Sequence, residues 1–403
     1  MTTVLFVGAG RHQRRAIDQA RARGLRVAAV DRNPEAPGLT AADDAGVVDF
    51  TDVDAVVAFA RATRIDGVLT VSADRAVPVV AAVADALELP GIGTDTAHRL
   101  THKRAMRSAL AAGDLPQPSF ATLRSDEDVS GALDAVRLPA VLKPVDSGGQ
   151  RAVFRIESAD ELRRNLAEAT EESPTGEAIL EEFVDGVELN GIVIARGGEP
   201  NLVTLSDRLR PPGIGFGVGW IHVYPPSISG DQLRLAEDLA RESVRTLGLR
   251  DAVAFPQLIA SPDGSVSVVE VAARIPGGQM ADLVRHAVGI DLVEVALRQA
   301  LGEPVPDELA LPRFSQPLAI RFFTAEPGPL PTGRVVRIGS LEPVLEIEGV
   351  VQADSYIQLG ETIRPVRRDG DRRGYVIAVG ESPEEALRRA ESAATRFTVE
   401  VTV

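Results

Sequence analysis

The sequence predicts an α/β domain with a parallel sheet, followed by a longer α+β region. Three observations support this prediction. Short apolar strands alternate with amphipathic helices over residues 1–95, which is typical of a parallel sheet with helices on both faces. Hairpin signals follow, such as Pro262-Asp263-Gly264 between two apolar runs. After Pro306, short β runs precede one helix at Pro383–Phe397, which indicates a further α+β unit.

The composition is that of an ordinary globular protein with a strong negative charge. The 403 residues suffice for two or three domains. A net charge of −15 argues against general binding to nucleic acid or anionic membranes. No cysteine is present, which excludes disulfides and thiolate catalysis. We find no signal pattern and no apolar run near the roughly 20 residues that span a bilayer, so we expect a cytoplasmic protein. We interpret His98 and His102, at i,i+4 spacing, as a solvated helix face.

The first elements form a βαβ unit with a glycine-rich turn. The predicted strands are Thr3–Val7, Leu25–Val30, Gly46–Asp49 and Gly67–Val71, and the helices end near Arg23, Thr63 and Leu87. The turn at Gly8-Ala9-Gly10 suggests a dinucleotide site. However, Gln13 replaces the third glycine of that motif, and Asp31 fits the acidic position only loosely. We therefore favour a tight strand-to-helix turn.

Two lysines and a glycine loop follow this domain. A predicted helix at Thr96–Ala112 contains Lys103, and the predicted strand Ala140–Pro144 contains Lys143. A small loop then returns to Val153–Ile156, and it includes Ser147, Gly148 and Gly149. Glycine amides and a lysine at a strand end can hold phosphate oxygens. The alternative is a plain hairpin with a solvated lysine. The P-loop signature is absent.

Two acidic segments could contact a nucleotide. The predicted strand Ala178–Val184 leads through a turn into a second apolar run, with carboxylates at Glu181, Glu182 and Glu188. This pattern fits either a surface hairpin or a site that binds a base by its backbone and a ribose by a carboxylate. Farther on, Arg208–Gly219 is rich in proline and glycine, and we predict a mobile loop with substrate contacts.

The segment Val266–Gly278 is the strongest candidate for chemistry. Glu270 lies on a β-branched strand, and Arg274 follows it before Pro276-Gly277-Gly278. Glutamate is a hard oxygen ligand for Mg²⁺, and the planar guanidinium matches phosphate. On these residues alone, the competing interpretation is a surface Glu–Arg pair, since such pairs are common and weak. Before this segment, His222 lies on a predicted strand, where a surface position is favoured over a substrate contact.

In this order, the motifs resemble the ATP-grasp superfamily over nearly the whole chain. The resemblance implies a preATP-grasp domain at 1–95, a two-lobed ATP-grasp domain at 96–311 with a mobile lid at about 118–180, and a C-terminal α+β domain at 312–403. It implies ATP and Mg²⁺ (or Mn²⁺) as cofactors. The implied nucleotide contacts are Lys103, Lys143, Ser147, Gly148, Gly149, Glu181, Glu182, Phe183, Val184, Glu188 and Leu258. Glu270 would hold the metal, and Arg274 the transferring phosphoryl group.

Within that superfamily the chain is most similar to bacterial L-amino acid ligases. Ala272 occupies the position where many ATP-grasp enzymes have an asparagine, and Gln257 replaces a second acidic metal ligand. The resemblance implies amide formation through an acyl phosphate from small carboxylate and amine substrates, and a homodimer is a further expectation. Candidate substrate contacts are His222, Arg208, Arg274, Gly277 and Gly278. The alternatives are another chemistry, such as carboxylation with bicarbonate, and a non-catalytic nucleotide-binding homologue.

Overall fold

The computed structural model describes residues 1–148, 151–210 and 219–402. Gly149 and most of the predicted loop Arg208–Gly219 therefore lie outside the described residues. None of the helices within the described ranges is long and apolar enough to cross a membrane.

The N-terminal region is the predicted parallel sheet. Its elements are β1 (Thr3–Val7), α1 (Arg11–Ala22), β2 (Arg26–Asp31), β3 (Asp44–Val47), α2 (Val53–Thr63), β4 (Gly67–Leu69) and α3 (Val77–Ala86). The strands are parallel in the order β3-β2-β1-β4. At the glycine turn, Asp31 accepts a hydrogen bond from the Ala9 amide at 2.9 Å, and the Gln13 side chain donates to the Val71 carbonyl. Both polar side chains therefore brace the turn, as expected for a tight strand-to-helix connection.

A second, antiparallel sheet contains the predicted glycine-loop hairpin. Its region comprises α4 (Thr94–Thr101), α5 (Lys103–Ala112), β5 (Phe120–Leu123), α6 (Val129–Ala135), β6 (Ala140–Pro144), β7 (Phe154–Ile156), α7 (Ala159–Glu171) and β8 (Ala178–Glu182). The strand order is β5-β8-β6-β7, and Leu142 pairs with Phe154 across the predicted hairpin.

The prediction of one helix at Thr96–Ala112 is wrong. His102 has an extended backbone, which separates α4 from α5, and its ring accepts a hydrogen bond from the Ala105 amide at 3.5 Å. His102 is also buried and lies 3.8 Å from Glu177. The predicted solvated face at His98 and His102 is therefore wrong for His102, because this ring caps the helix that begins with Lys103.

The largest sheet has eight antiparallel strands. The remaining elements are β9 (Val187–Arg196), β10 (Glu199–Leu209), β11 (Ile221–Tyr224), α8 (Gly230–Thr246), β12 (Ala252–Ala260), β13 (Val266–Ala272), α9 (Met280–Val288), α10 (Leu292–Ala300), α11 (Asp307–Ala310), β14 (Leu318–Phe322), β15 (Gly333–Ile338), α12 (Glu342–Leu345), β16 (Val350–Ser355), β17 (Thr362–Ile363), β18 (Gly374–Val379), α13 (Pro383–Ala394) and β19 (Val399–Thr402). The order is β13-β12-β9-β10-β11-β14-β18-β16, and β17-β15-β19 form a small separate sheet. Hydrogen bonds between β11 and β14 make the large sheet continuous across residue 312.

A four-residue connection joins the second sheet to the large one. β8 ends at Glu182 and β9 begins at Val187, yet the two strands belong to different sheets. The surface-hairpin interpretation of this segment is therefore wrong. Gly186 has φ +150°, and a Cβ there would lie 2.2 Å from the Ala260 carbonyl oxygen. Only glycine allows this close approach, so the connection is fixed against β12 at its end.

Candidate functional site

One cavity of about 390 Å³ lies between the second sheet and the large sheet, and residues of the N-terminal sheet also line it. Every predicted site residue within the described ranges lines this cavity. These residues are Lys103, Lys143, Ser147, Gly148, Glu181, Glu182, Phe183, Val184, Glu188, Arg208, His222, Gln257, Leu258, Glu270, Arg274, Gly277 and Gly278. The fold thus gathers side chains from distant parts of the sequence at one site.

Two buried lysines line the cavity. Lys103 begins α5, and its Nζ donates to the Ser147 carbonyl at 2.8 Å. Burial lowers the pKa of Lys103 although the Glu270 carboxylate opposes this effect. Lys143, near the end of β6, is 8% exposed and lies 2.7 Å from the Glu181 carboxylate. The alternative of a plain hairpin with a solvated lysine is therefore wrong.

Glu181 is the centre of a buried ionic chain. Besides Lys143, it binds Arg107, whose Nε donates to Oε1 at 2.8 Å. Burial raises the pKa of Glu181, but Arg107 and Lys143 outweigh burial and bring it to about 2. Arg107 also donates to the carbonyls of Val268 and Val269, at 2.8 and 2.7 Å. It therefore ties α5 and β13 to the strand that bears Glu181. Sequence reasoning missed Arg107.

Three amide or carboxylate side chains form a row across β9, β12 and β13. The predicted Pro262-Asp263-Gly264 turn joins the strands of Gln257 and Glu270, and within this hairpin Gln257 lies directly opposite Glu270. Gln257 also lies opposite Asn190 on β9. Residues opposite one another on neighbouring strands share a face of the sheet. Asn190, which sequence reasoning missed, is 1% exposed, and its Oδ1 has no hydrogen-bond partner in the described part of the chain. The row presents oxygen atoms to the cavity, which suits a hard cation.

Arg274 is held by a carboxylate from the N-terminal domain. Its Nε and Nη2 lie 2.7 and 2.6 Å from Asp74 Oδ1, and Asp74 begins a short turn of 3₁₀ helix after β4. A backbone bridge between Val71 and Ile275 fixes this contact. The third nitrogen, Nη1, is buried and has no hydrogen-bond partner among the described residues. The surface Glu270–Arg274 pair is therefore wrong, because Arg274 is largely buried and pairs with Asp74, another residue that sequence reasoning missed.

His222 and Arg208 lie opposite each other on β11 and β10 and both line the cavity. His222 is 4% exposed, so the favoured prediction of a surface histidine is wrong. Its Nδ1 lies 3.2 Å from Asn190 Nδ2, and its ring meets Phe322 edge-on. Burial, and next the charge of Arg208, hold the pKa of His222 well below its usual value, so the ring is neutral at pH 7. Glu188, the predicted ribose carboxylate, accepts from Arg208 at 2.7 Å and pairs with Arg210.

The acidic side chains in the cavity limit how a metal could bind. Within residues 1–148, 151–210 and 219–402, no group of three or more His, Cys, Asp or Glu side chains is arranged to hold a metal ion. Glu270 with Gln257 fits a Mg²⁺ ion only if phosphate oxygens and water complete the coordination. The donor set therefore suits a metal that enters together with a phosphorylated ligand.

Three family profiles match successive parts of the chain. The profile described as ATP-grasp N-terminal domain matches residues 17–91, and L-amino acid ligase C-terminal domain 2 matches residues 321–402. The carbamoyl-phosphate synthase L chain, ATP binding domain, matches residues 102–308, just over half of the 403 residues. The chain belongs to the ATP-grasp family. This confirms the family and the fold class that the motifs predict.

The chain is also similar to individual proteins over most of its length. A formate-dependent phosphoribosylglycinamide formyltransferase of Ignicoccus hospitalis is 27% identical over 410 residues, which cover 97% of this chain and 94% of the relative. The uncharacterized protein y4rH of Sinorhizobium fredii is 28% identical over 354 residues, 84% of this chain and 70% of that protein. The crystal structure of an L-amino acid ligase from Bacillus licheniformis has a TM-score of 0.85 at 21% identity and covers 100% of this chain and 99% of that one.

The family fixes the general activity of this ATP-grasp protein. It is an ATP-dependent ligase that forms carbon–nitrogen bonds with release of ADP. The nucleotide prediction is confirmed at this level.

Proposed function

We propose that the protein joins the carboxylate of an amino acid to an amine through an acyl phosphate. The observation that supports this most directly is Arg274. Asp74 holds two of its nitrogens, and the buried Nη1 has no partner among the described residues. A buried guanidinium nitrogen without a hydrogen-bond partner destabilises the folded protein unless a ligand accepts its hydrogen bond. A phosphoryl oxygen near Lys103 and Lys143 would do so.

The residues have distinct roles in the proposed reaction. The substrate carboxylate attacks the γ-phosphate of ATP, and the bond from the γ-phosphorus to the β-phosphate oxygen breaks, so that ADP leaves and an acyl phosphate forms. Lys103, Lys143 and Arg274 would neutralise the phosphoryl oxygens. The amine then forms the new C–N bond, the C–O bond to phosphate breaks, inorganic phosphate leaves with the electron pair, and the surplus proton passes to solvent. A Mg²⁺ or Mn²⁺ ion held by Glu270 and Gln257 would offset the charge of the ATP phosphates.

We assign the nucleotide to the connection between the two sheets. The adenine would lie against Glu182, Phe183, Val184 and Leu258, and the ribose would reach Glu188, whose carboxylate also holds Arg208. Ser147, Gly148 and Gly149 would cover the phosphates. Glu181 has a different role in this proposal, because its carboxylate is already bound by Arg107 and Lys143 and therefore positions the lysine.

The choice of an amino acid rests on the named relatives. The Bacillus licheniformis neighbour is an L-amino acid ligase, and the C-terminal profile carries the same name. The Ignicoccus hospitalis relative is named for a formate-dependent transfer, so a small carboxylate is common to both names. Gln257 stands where the family usually has a second acidic metal ligand, so the proposed metal site has one carboxylate fewer than is usual. This favours one second candidate, a nucleotide-binding homologue without catalysis.

Phosphate release from ATP tests the proposal. The purified chain is incubated with ATP, Mg²⁺ and a matrix of amino acids and amines, and ADP, phosphate and the amide product are measured. We expect release that requires both a carboxylate and an amine, with one amide formed per ADP. ATP binding without substrate-dependent release would support the non-catalytic candidate. Release stimulated by bicarbonate alone would instead indicate carboxylation. Glu270→Gln serves as the inactive control.

The domain boundaries, the cellular location and the oligomeric state belong to the same proposal. We propose a preATP-grasp unit at 1–95, an ATP-grasp unit at 96–311 with a lid at about 118–180, and a C-terminal unit at 312–403. ATP is held in the cytoplasm, so we place the enzyme there. We also propose a homodimer, and light scattering of the purified chain tests this oligomeric state. We propose no nucleic-acid or membrane partner.

A further inference from the structure

The start of α5 is attached to the second sheet through Lys103. The backbone amide of Lys103 donates a hydrogen bond to the Val145 carbonyl at 2.7 Å, and its Nζ donates to the Ser147 carbonyl at 2.8 Å. Both acceptors follow β6 directly, in the part of the chain that we propose as the lid. The position of Lys103 therefore depends on how the first turn of α5 is held against this loop.

His102, the residue before Lys103, holds that first turn. Its backbone is extended, with φ −113° and ψ 105°, and its Nδ1 accepts a hydrogen bond from the Ala105 amide at 3.5 Å. The first amides of a helix have no partner inside the helix, so an acceptor at this position stabilises the start of α5. The His102 side chain is buried and lies outside the cavity lining, whereas Lys103 lines the cavity. His102 can therefore influence a ligand only through its neighbour.

The neutral and the protonated imidazole of His102 have different partners. When Nδ1 accepts from Ala105, the proton of the neutral ring is on Nε2, which lies 3.8 Å from Glu177 Oε2. A protonated ring carries N–H groups on both nitrogens, so it can no longer accept from the Ala105 amide. Its positive charge would instead strengthen the attraction to Glu177, which also pairs with Arg104 at 3.3 Å. The helix cap and a full ion pair with Glu177 are therefore alternatives that depend on one proton.

The surroundings of the ring favour the neutral form. The charged and titratable groups around it are His98 on α4, Arg104 on α5, Asp146 after β6, Glu177 before β8, and Arg124, which pairs with Glu177. Burial lowers the pKa of His102 below its usual value of 6.5, His98 and Arg104 act in the same direction, and the two carboxylates oppose them. Below pH 6.5 the unfolded chain therefore binds more protons at this residue than the folded chain, so acid removes stability from the cap.

We propose that His102 is a positioning residue whose neutral ring holds Lys103 at the nucleotide phosphates, so that protonation of this ring weakens ATP binding. The inference rests on the proposed function only through the phosphate contact of Lys103. Loss of the cap loosens the first turn of α5, and Lys103 is the first residue of that turn. The added positive charge alone would attract phosphate, but the nearby Glu177 carboxylate compensates it. The loss of the cap therefore decides the direction of the effect.

The pH dependence of ATP affinity tests this role. Calorimetry with ATP and Mg²⁺ gives the Kd between pH 5.5 and 7.5 for the full-length wild type and for His102→Asn, His102→Ala and His98→Asn. Asparagine is a good helix cap that does not titrate, so the ratio of the wild-type Kd to the His102→Asn Kd removes the titration of ATP itself. We expect this ratio to rise about tenfold from pH 7.5 to pH 5.5, which corresponds to roughly 1.4 kcal/mol and is typical of a helix cap.

The other two variants separate the cap from general effects of histidine. His102→Ala has no acceptor and should bind ATP about tenfold more weakly than the wild type at pH 7.5, where the wild-type ring is neutral. His98→Asn removes an exposed imidazole whose ring centre lies 4.9 Å from that of His102, and it should retain the acid loss of the wild type. Circular dichroism at each pH confirms that the proteins are folded. If His102→Ala does not fold, His102→Asn decides alone.

The outcomes also separate this inference from the proposed reaction. Parallel pH profiles of the wild type and His102→Asn would overturn the role of His102, and so would unchanged ATP affinity in a folded His102→Ala. Unchanged ATP affinity in Lys103→Gln would remove the phosphate contact on which the inference depends. The measurement needs no organic substrate. A chain that forms no amide but shows the expected ratio would therefore refute the ligation and support the role of His102.

Discussion

Replacing Gln257 with glutamate should convert the metal site into one with two carboxylates. Gln257 and Glu270 lie directly opposite each other on β12 and β13. Side chains in such a pair have Cβ atoms about 4.5–5.5 Å apart. Two carboxylates about 5 Å apart repel each other by roughly 3 kcal/mol at an effective dielectric constant of 20. The charge of Lys103, which interacts with Glu270, reduces this repulsion. We therefore expect metal-free Gln257→Glu to be destabilised by about 1–3 kcal/mol relative to the wild type.

A divalent cation should reverse this loss. The ion attracts both carboxylates, so Mg²⁺ should raise the melting temperature of Gln257→Glu more than that of the wild type. The concentration of free Mg²⁺ that gives half-maximal activity should fall by about tenfold, which corresponds to roughly 1.4 kcal/mol. Thermal unfolding with EDTA or Mg²⁺, and initial rates against free Mg²⁺, measure both effects. Gln358→Glu is the control, because it makes the same change at an exposed position.

Two results would refute this reasoning. A Mg²⁺ curve that does not move in Gln257→Glu, while Glu270→Gln loses all activity, would remove Gln257 from the metal site. A metal-free variant as stable as the wild type would show that the two side chains diverge in solution. A tighter Mg²⁺ response with preserved turnover would instead show that the natural glutamine weakens the site without disabling it.

Three further substitutions test individual side chains. Lys143→Ala should lower kcat/KM at least a hundredfold, about 3 kcal/mol, with an unchanged circular dichroism spectrum, and near-normal turnover at saturating ATP would contradict its role. His222→Ala should raise the KM of an organic substrate but not that of ATP, and if neither KM changes, His222 only packs against Phe322. Glu181 has a folded pKa of about 2 against about 4.5 unfolded, so its stabilisation is present above pH 4.5 and is lost as the pH falls toward 2. Glu181→Gln should therefore be about 3 kcal/mol less stable than the wild type in urea unfolding at pH 7, with a gap that narrows by about 2 kcal/mol by pH 3, and parallel pH profiles would contradict the ionic chain.

The sequence predicts those site residues that belong to local patterns. Lys143 ends a strand before a glycine loop, and Glu270 lies opposite Gln257 because a strong turn signal fixes their hairpin. Both features can be read within about fifteen residues of sequence. The predicted single helix at Thr96–Ala112 fails for the opposite reason. The break at His102 depends on its burial beside Glu177, which the helical pattern of the segment does not reveal.

The missed residues have partners far away in the sequence. Asp74 and Arg274 are 200 positions apart, and Arg107 and Glu181 are 74 positions apart. Neither Asp74 nor Arg107 belongs to a motif, and the sequence alone does not show that either has an ionic partner, which only the fold brings close. Asn190 is recognisable only once β9 is known to lie beside β12. Burial makes partners necessary for these side chains, because an ion or amide that is removed from water must bind a protein or ligand group.

The Asp74–Arg274 ion pair also explains why the N-terminal domain lines the candidate site, although its glycine turn is braced by its own side chains. Arg274 is largely buried, and a buried cation without a counter-ion would be strongly destabilising. Asp74 supplies that counter-ion, and the Val71–Ile275 bridge sets its position. In the proposed reaction, the same pairing would fix the guanidinium before ATP binds, and Nη1, which has no hydrogen-bond partner among the described residues, would bind a phosphoryl oxygen with little reorganisation. In the proposed reaction, the N-terminal domain therefore contributes the counter-ion that holds the Arg274 cation in place, and this role depends on one carboxylate and one backbone bridge.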